Sequence, residues 1–187
     1  MAPPVHSDLR DTKKWTVGAV MLRQSRERPT KEFLQIDGRV ISYLRAYNIG
    51  CQVANFFAEF DVNNDDFVAV MLPNSMAFCE CWFGVSLLGA VHVAVNTDYS
   101  GRFLEHVLNN SRARFMVIDA AYVDRLEAIA SRLPHLERVF VVGDLPDQCR
   151  FPVSRFEFWK RADTAPQEFL PDYKDTACVM YTSGTTG

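Results

Sequence analysis

Five apolar runs, each about one strand long and none alternating with polar positions, constrain this chain more than any other feature. They occupy residues 67–72, 91–95, 115–118, 139–142 and 177–181. A strand with one wet face alternates apolar and polar residues. A strand that is apolar throughout must be covered on both faces, which is the situation in a parallel sheet with helices above and below. The first four runs begin about 24 residues apart, the length of one strand–helix unit. No residue pattern repeats at that spacing, so it reflects topology rather than a solenoid. The expected fold class is α/β, a doubly wound and mostly parallel sheet.

The segments between the runs read as helices. Asn74 or Ser75 is placed to cap a helix over 76–88, and Gly89 stands where a left-handed C-terminal residue belongs. Ser100 is placed to cap 101–109, with Phe103, Leu104, Val107 and Leu108 turned inward. Asp119 is placed to cap 121–133, which Pro134 stops. Upstream, 43–60 carries Ile49, Val53, Phe56, Phe57 and Phe60 at helical spacing, an aromatic face that reads as core. Residues 33–36 and 39–42 flank Asp37-Gly38, the signature of a two-residue hairpin turn. Residues 16–26 read as a helix ended by Pro29. Residues 144–175 hold four prolines and form the loosest stretch, within which Ser154 and Glu157 have capping-box spacing for a short helix over 155–161.

Composition is that of an ordinary globular chain: 187 residues, 48% hydrophobic and 23% charged, with a net charge of -3. That charge gives no general attraction to nucleic acid or acidic lipid, so an anionic ligand needs a local site. Five scattered cysteines (Cys51, Cys79, Cys81, Cys149, Cys178) read as free thiols of a reducing compartment, and Cys79-Glu80-Cys81 lacks a second pair for a zinc site. The stretch 81–95 is too short and too broken by Gly84, Ser86, Gly89 and His92 to span a bilayer, although peripheral membrane contact stays open. No Gly-Lys-Ser/Thr tripeptide and no pair of glycines one residue apart occurs, which excludes Walker-type and dinucleotide fingerprints. His92, in a strand-like run, reads as a satisfied core imidazole, and Asp65-Asp66 as a solvated turn.

The last run leads into Tyr181-Thr182-Ser183-Gly184-Thr185-Thr186-Gly187. Gly184 and Gly187 can adopt backbone angles closed to other residues and let the main chain approach a ligand. Successive N–H groups in such a turn form an anion-binding concavity, and four hydroxyls add donors. In an open α/β sheet ligands bind beyond the carboxyl ends of the strands, where Asn96, Asp119, Gly143 and Thr182 are also expected.

This heptapeptide resembles the phosphate-loop signature of the adenylate-forming acid–CoA ligases, the superfamily of acyl-CoA synthetases, luciferases and peptide synthetases. The likeness runs back to about Lys31. It includes Asn64-Asp65-Asp66 where the family enters its first strand with Gly-Asp, Pro73-Asn74-Ser75 after that strand, Gly89-Ala90, and Val95-Asn96. Ala94 stands where Pro is common. Cys81-Trp82-Phe83-Gly84 and Asn110-Ser111 look like carnitine/crotonobetaine-type and related fatty-acid–CoA ligases.

The resemblance implies an N-terminal arm and helix over 1–30, and over 31–187 the first α/β subdomain of an AMP-binding domain, cut at the phosphate loop. It implies that Thr182, Ser183, Gly184, Thr185, Thr186 and Gly187 bind nucleotide phosphates. ATP, Mg2+ and coenzyme A would be the cofactors and co-substrates, a small-molecule carboxylic acid the partner, and the cytoplasm or peroxisome the location. It assigns no catalytic and no metal-ligating residue within these positions. The expectation is the amino-terminal piece of a longer acid–CoA ligase, inactive alone. The alternatives are a non-catalytic module of this length, or another adenylate-forming branch such as a peptide-synthetase adenylation domain or a luciferase-like enzyme.

Overall fold

The computed structural model describes residues 11–166 and 171–182. Its centre is a six-stranded sheet made of β3 (Phe67–Met71), β4 (Val91–Ala94), β5 (Phe115–Asp119), β6 (Arg138–Val142), β7 (Val153–Arg155) and β8 (Cys178–Met180). The spatial order is β7-β6-β5-β3-β4-β8, and every pairing is parallel. A separate hairpin pairs β1 (Glu32–Ile36) with β2 (Arg39–Ser42). Its turn residues Asp37 and Gly38 both have positive φ, 50° and 75°, as a two-residue turn matched to strand twist requires.

Side chains alternate across the sheet and build two cores. Val68, Val70, Phe115, Val117 and Phe140 face α1 (Val17–Glu27), α2 (Tyr43–Ala58) and α3 (Met76–Leu88). Ala69, Met71, Met116, Ile118, Val139 and Val141 face α4 (Gly101–Ser111) and α5 (Val123–Glu127). Helices on both faces make this the doubly wound parallel sheet the unbroken apolar runs require. The aromatic face of α2 is core: Phe56 and Phe57 meet Phe140 edge-on at 5.4 and 5.2 Å.

Local signals set the helix starts. Thr16 Oγ1 accepts from Ala19 N at 3.2 Å, and Ser75 Oγ accepts from Phe78 N at 3.3 Å, each satisfying an orphan N–H of the first turn. Gly89 closes α3 at φ 80°. Ser100 sits at the cap position of α4 but its side chain makes no capping bond.

Four further expectations are corrected. Phe103 does not face inward; it is 75% exposed and stacks on Tyr99 at 6.2 Å. The inward stripe of α4 is Leu104, Val107, Leu108 and Ser111, and Phe103 lies one residue off it. No single helix spans 121–133: a 3₁₀ turn, Ala120–Tyr122, precedes α5, and another, Ala130–Arg132, follows it. Ser154 belongs to β7, and Glu157 accepts from Gly143 N at 3.0 Å instead of closing a capping box. Asp66 is no solvated acid. Its side chain is 11% exposed and is held by Arg114 Nη1 at 2.7 Å, while the adjacent Asp65 takes φ 67°, a left-handed backbone angle.

Among the described residues, no helix is long and apolar enough to cross a membrane. Cys51 and Cys81 are buried, whereas Cys178 is exposed on the edge strand.

Candidate functional site

Because every strand of the main sheet runs the same way, their carboxyl ends form one crest. The chain leaves β3 onto the face covered by α3 and leaves β4 onto the opposite face, covered by α4. Neighbouring loops that diverge in this way open a crevice, the usual ligand position in open α/β sheets. Here the crevice has a volume of about 440 Å³, and its walls include Pro73, Asn74, Phe78, Asn96, Thr97 and Tyr181.

Each wall is held by local chemistry. The β3 side is fixed where Ser75 caps α3. On the β4 side, Val95 N donates to Val70 O at 3.0 Å and extends the ladder one residue past the strand. The chain then turns: Asn96 Oδ1 accepts from Asp98 N at 2.9 Å, and Asn96 O accepts from Tyr99 N at 3.0 Å. This is the backbone mimicry that favours Asn in turns. From α5, on the same face of the sheet, Arg125 Nη1 donates to Thr97 O, with its guanidinium over the Tyr122 ring. The third wall is the end of β8. There Tyr181 Oη accepts from Asn110 Nδ2 at 2.9 Å and donates to Val107 O at 3.4 Å.

The crest positions expected from the sequence lie where they should. Asn96 is in the crevice, Asp119 Oδ1 accepts from Ala121 N at 2.9 Å, and Gly143 O accepts from Arg155 Nη1 at 3.1 Å. Thr182 follows Tyr181 and is exposed. Ser183, Gly184, Thr185, Thr186 and Gly187 lie outside the described residues. Sequence reasoning missed Thr97, Arg125 and Asn110 as parts of this region. Asn110-Ser111 stands out in the sequence only as a family likeness, and nothing local marks Arg125 as a partner of residue 97.

Among the described residues, the crevice walls carry no carboxylate, imidazole or cation. General acid–base chemistry therefore has no participant among the described walls, while an already ionised substrate would need none. His92 is no substitute. It is 2% exposed on the α3 side of the sheet, edge-on to Phe78 at 5.4 Å, and burial lowers its pKa to about 4. Its Nδ1 lies 3.8 Å from Cys178 Sγ, and its Nε2 has no hydrogen-bond partner among the described residues, so the imidazole is core but not satisfied. Among the described residues, no group of three or more His, Cys, Asp or Glu side chains could hold a metal ion.

Comparison with known proteins agrees with this geometry. The crotonobetaine/carnitine–CoA ligase of Escherichia coli O6:K15:H31 is 31% identical over 151 residues, which cover 78% of this chain and 28% of that protein. Human long-chain fatty acid transport protein 6 is 27% identical over 180 residues, covering 92% of this chain and 28% of that protein. The chain thus spans little more than a quarter of the length of these curated relatives. Among solved structures, the anthranilate CoA ligase in complex with anthranoyl-AMP superposes with a TM-score of 0.83 at 26% identity, over 92% of this chain and 33% of that one. The N-terminal domain of FACL13 from Mycobacterium tuberculosis has the same fold, with a TM-score of 0.80 at 21% identity, over 92% of this chain and 42% of that one. The family model described as AMP-binding enzyme matches residues 21–187, and the chain belongs to that family.

Proposed function

We propose that this chain forms the amino-terminal part of an ATP-dependent acid–CoA ligase, with Thr182, Ser183, Gly184, Thr185, Thr186 and Gly187 cradling the β- and γ-phosphates of ATP. One observation carries the reading. β8 docks parallel to β4, through His92 with Cys178 and Ala94 with Met180, and so delivers Tyr181 and Thr182 to the lip of a crevice whose described walls are uncharged. A hydroxyl- and glycine-rich loop leaving that point supplies neutral donors to an anion without a competing carboxylate.

The chemistry follows from charge. A carboxylic acid with a pKa of about 4 is an anion at neutral pH, so no base has to generate the nucleophile. Its oxygen attacks the α-phosphorus of ATP, and the bond to pyrophosphate breaks. The sulfur of coenzyme A then attacks the acyl carbon, the bond to AMP breaks, and the thiol proton passes to solvent. What the protein contributes is position and neutralisation of the departing phosphates. Mg2+, when bound, would supply further neutralisation of phosphate charge.

The test is a panel of carboxylic acids offered to the full-length protein with ATP and coenzyme A. Acid-dependent formation of AMP, pyrophosphate and thioester in equal amounts is the expected result. ATP turnover that ignores the acid, or no turnover with any acid class, overturns it.

A further inference from the structure

We propose that Asn110 is a positioning residue for the phosphate loop and acts through the hydroxyl of Tyr181, an inference that rests on the ligase reading. The ladder holding β8 to the sheet pairs only Cys178, Val179 and Met180 with β4. Beyond Met180, the fastening among the described residues is the side chain of Tyr181, which stands next to Thr182 at the start of the loop. Its hydroxyl takes a hydrogen bond from Asn110 Nδ2 at 2.9 Å and gives one to Val107 O at 3.4 Å, and its ring stands edge-on to His106 at 6.5 Å. All three contacts come from one face of α4, 71 residues from Tyr181 in the case of Asn110.

The end of α4 does not need this asparagine. The helix is closed by Arg112 at φ 54°, whose N–H donates to Asn109 O, and Asn is a weak helix former. Asn109 instead donates to Arg132 O at 3.0 Å, so the two adjacent asparagines fasten α4 to two different elements. Asn110 borders an open groove of about 810 Å³ along α4, in which Arg132 is already paired with Glu105 at 2.7 Å. Its exposure means that truncation empties no cavity and that alanine suits the helix. The bond to Tyr181 is what truncation removes.

The experiment uses the full-length protein with an accepted acid and separates two half-reactions: acid-dependent ATP–pyrophosphate exchange, and thioester formation from presynthesised acyl-adenylate. Asn110→Ala and Tyr181→Phe are each expected to raise KM for ATP about tenfold, the worth of one lost hydrogen bond. The second half-reaction is expected to stay at the wild-type rate. The double variant is expected to be no worse than Tyr181→Phe alone, since the bond that Asn110→Ala removes is already gone there. Wild-type KM for ATP in both variants, or equal slowing of both half-reactions, overturns the inference while leaving the ligase reading intact. A wild-type protein with no acid-dependent exchange overturns the ligase reading and this inference with it.

Discussion

Gly84 of α3 rests against Val53 of α2 so closely that a Cβ built on the glycine would fall 2.1 Å from Val53 Cγ1. Gly50 repeats the arrangement from the other helix, its Cβ position lying 2.4 Å from Leu87 Cδ1. Close approach of the two helices, not a special backbone angle, is the reason for glycine at both positions. Gly84→Ala is therefore expected to destabilise the fold by about 1–3 kcal/mol through overpacking, despite alanine's better helix propensity. Denaturant unfolding checks this, and an unchanged or raised midpoint would contradict it.

His92 makes stability depend on pH in a defined window. The folded imidazole titrates near pH 4, because burial disfavours its charged form, while the unfolded one titrates near 6.5. Between these values the unfolded chain binds a proton that the folded chain refuses, so stability falls as pH falls through the window and is unaffected above it. The loss by pH 4 is about 3 kcal/mol. In His92→Leu the part of the acid sensitivity lying between pH 6.5 and 4 should disappear, as read from urea midpoints across that range.

Glu80 has the opposite sign. Its side chain is 7% exposed, Arg39 Nη2 stands 3.6 Å away, and Oε1 has no hydrogen-bond partner among the described residues. Burial raises its pKa, only partly offset by Arg39. The folded state thus holds this proton more tightly than the unfolded one, so stability falls as pH rises from the ordinary carboxylate range through the raised folded pKa, and the cost is complete above it. Glu80→Gln is expected to stabilise the protein by about 1 kcal/mol at pH 7, with the gain vanishing in acid below the ordinary carboxylate range. Thermal unfolding at two pH values measures it.

Arg125 ties the loop after β4 to α5 through Thr97 O. Arg125→Leu keeps an aliphatic side chain and removes the guanidinium, both as the donor to Thr97 O and as the group over the Tyr122 ring. Amide hydrogen exchange across residues 96–100 is expected to quicken about tenfold, with the exchange of β5 and β6 unchanged. Uniform quickening over the sheet would show instead that Arg125 supports the whole fold.

Much of the fold was legible because its signals are local. Unbroken apolar runs report coverage on both faces, Asp37-Gly38 reports positive φ, and Thr16, Ser75 and Gly89 report how helix ends are satisfied. β7 escaped notice because Val153, Ser154 and Arg155 form a short edge strand whose polar residues carry no burial signature.

The amino-acid sequence by itself determined the layered α/β class, the helix starts and the glycine loop that follows the last strand, since each depends on residues within a few positions of one another. Only the tertiary structure decided that β5 and β4 flank β3, that β8 lies beside β4, that Arg125 reaches Thr97, and that Asn110 reaches Tyr181. Those pairings join residues that are distant in the chain. They are selected by which faces can be buried together and which donors then meet acceptors, a choice that no local pattern encodes.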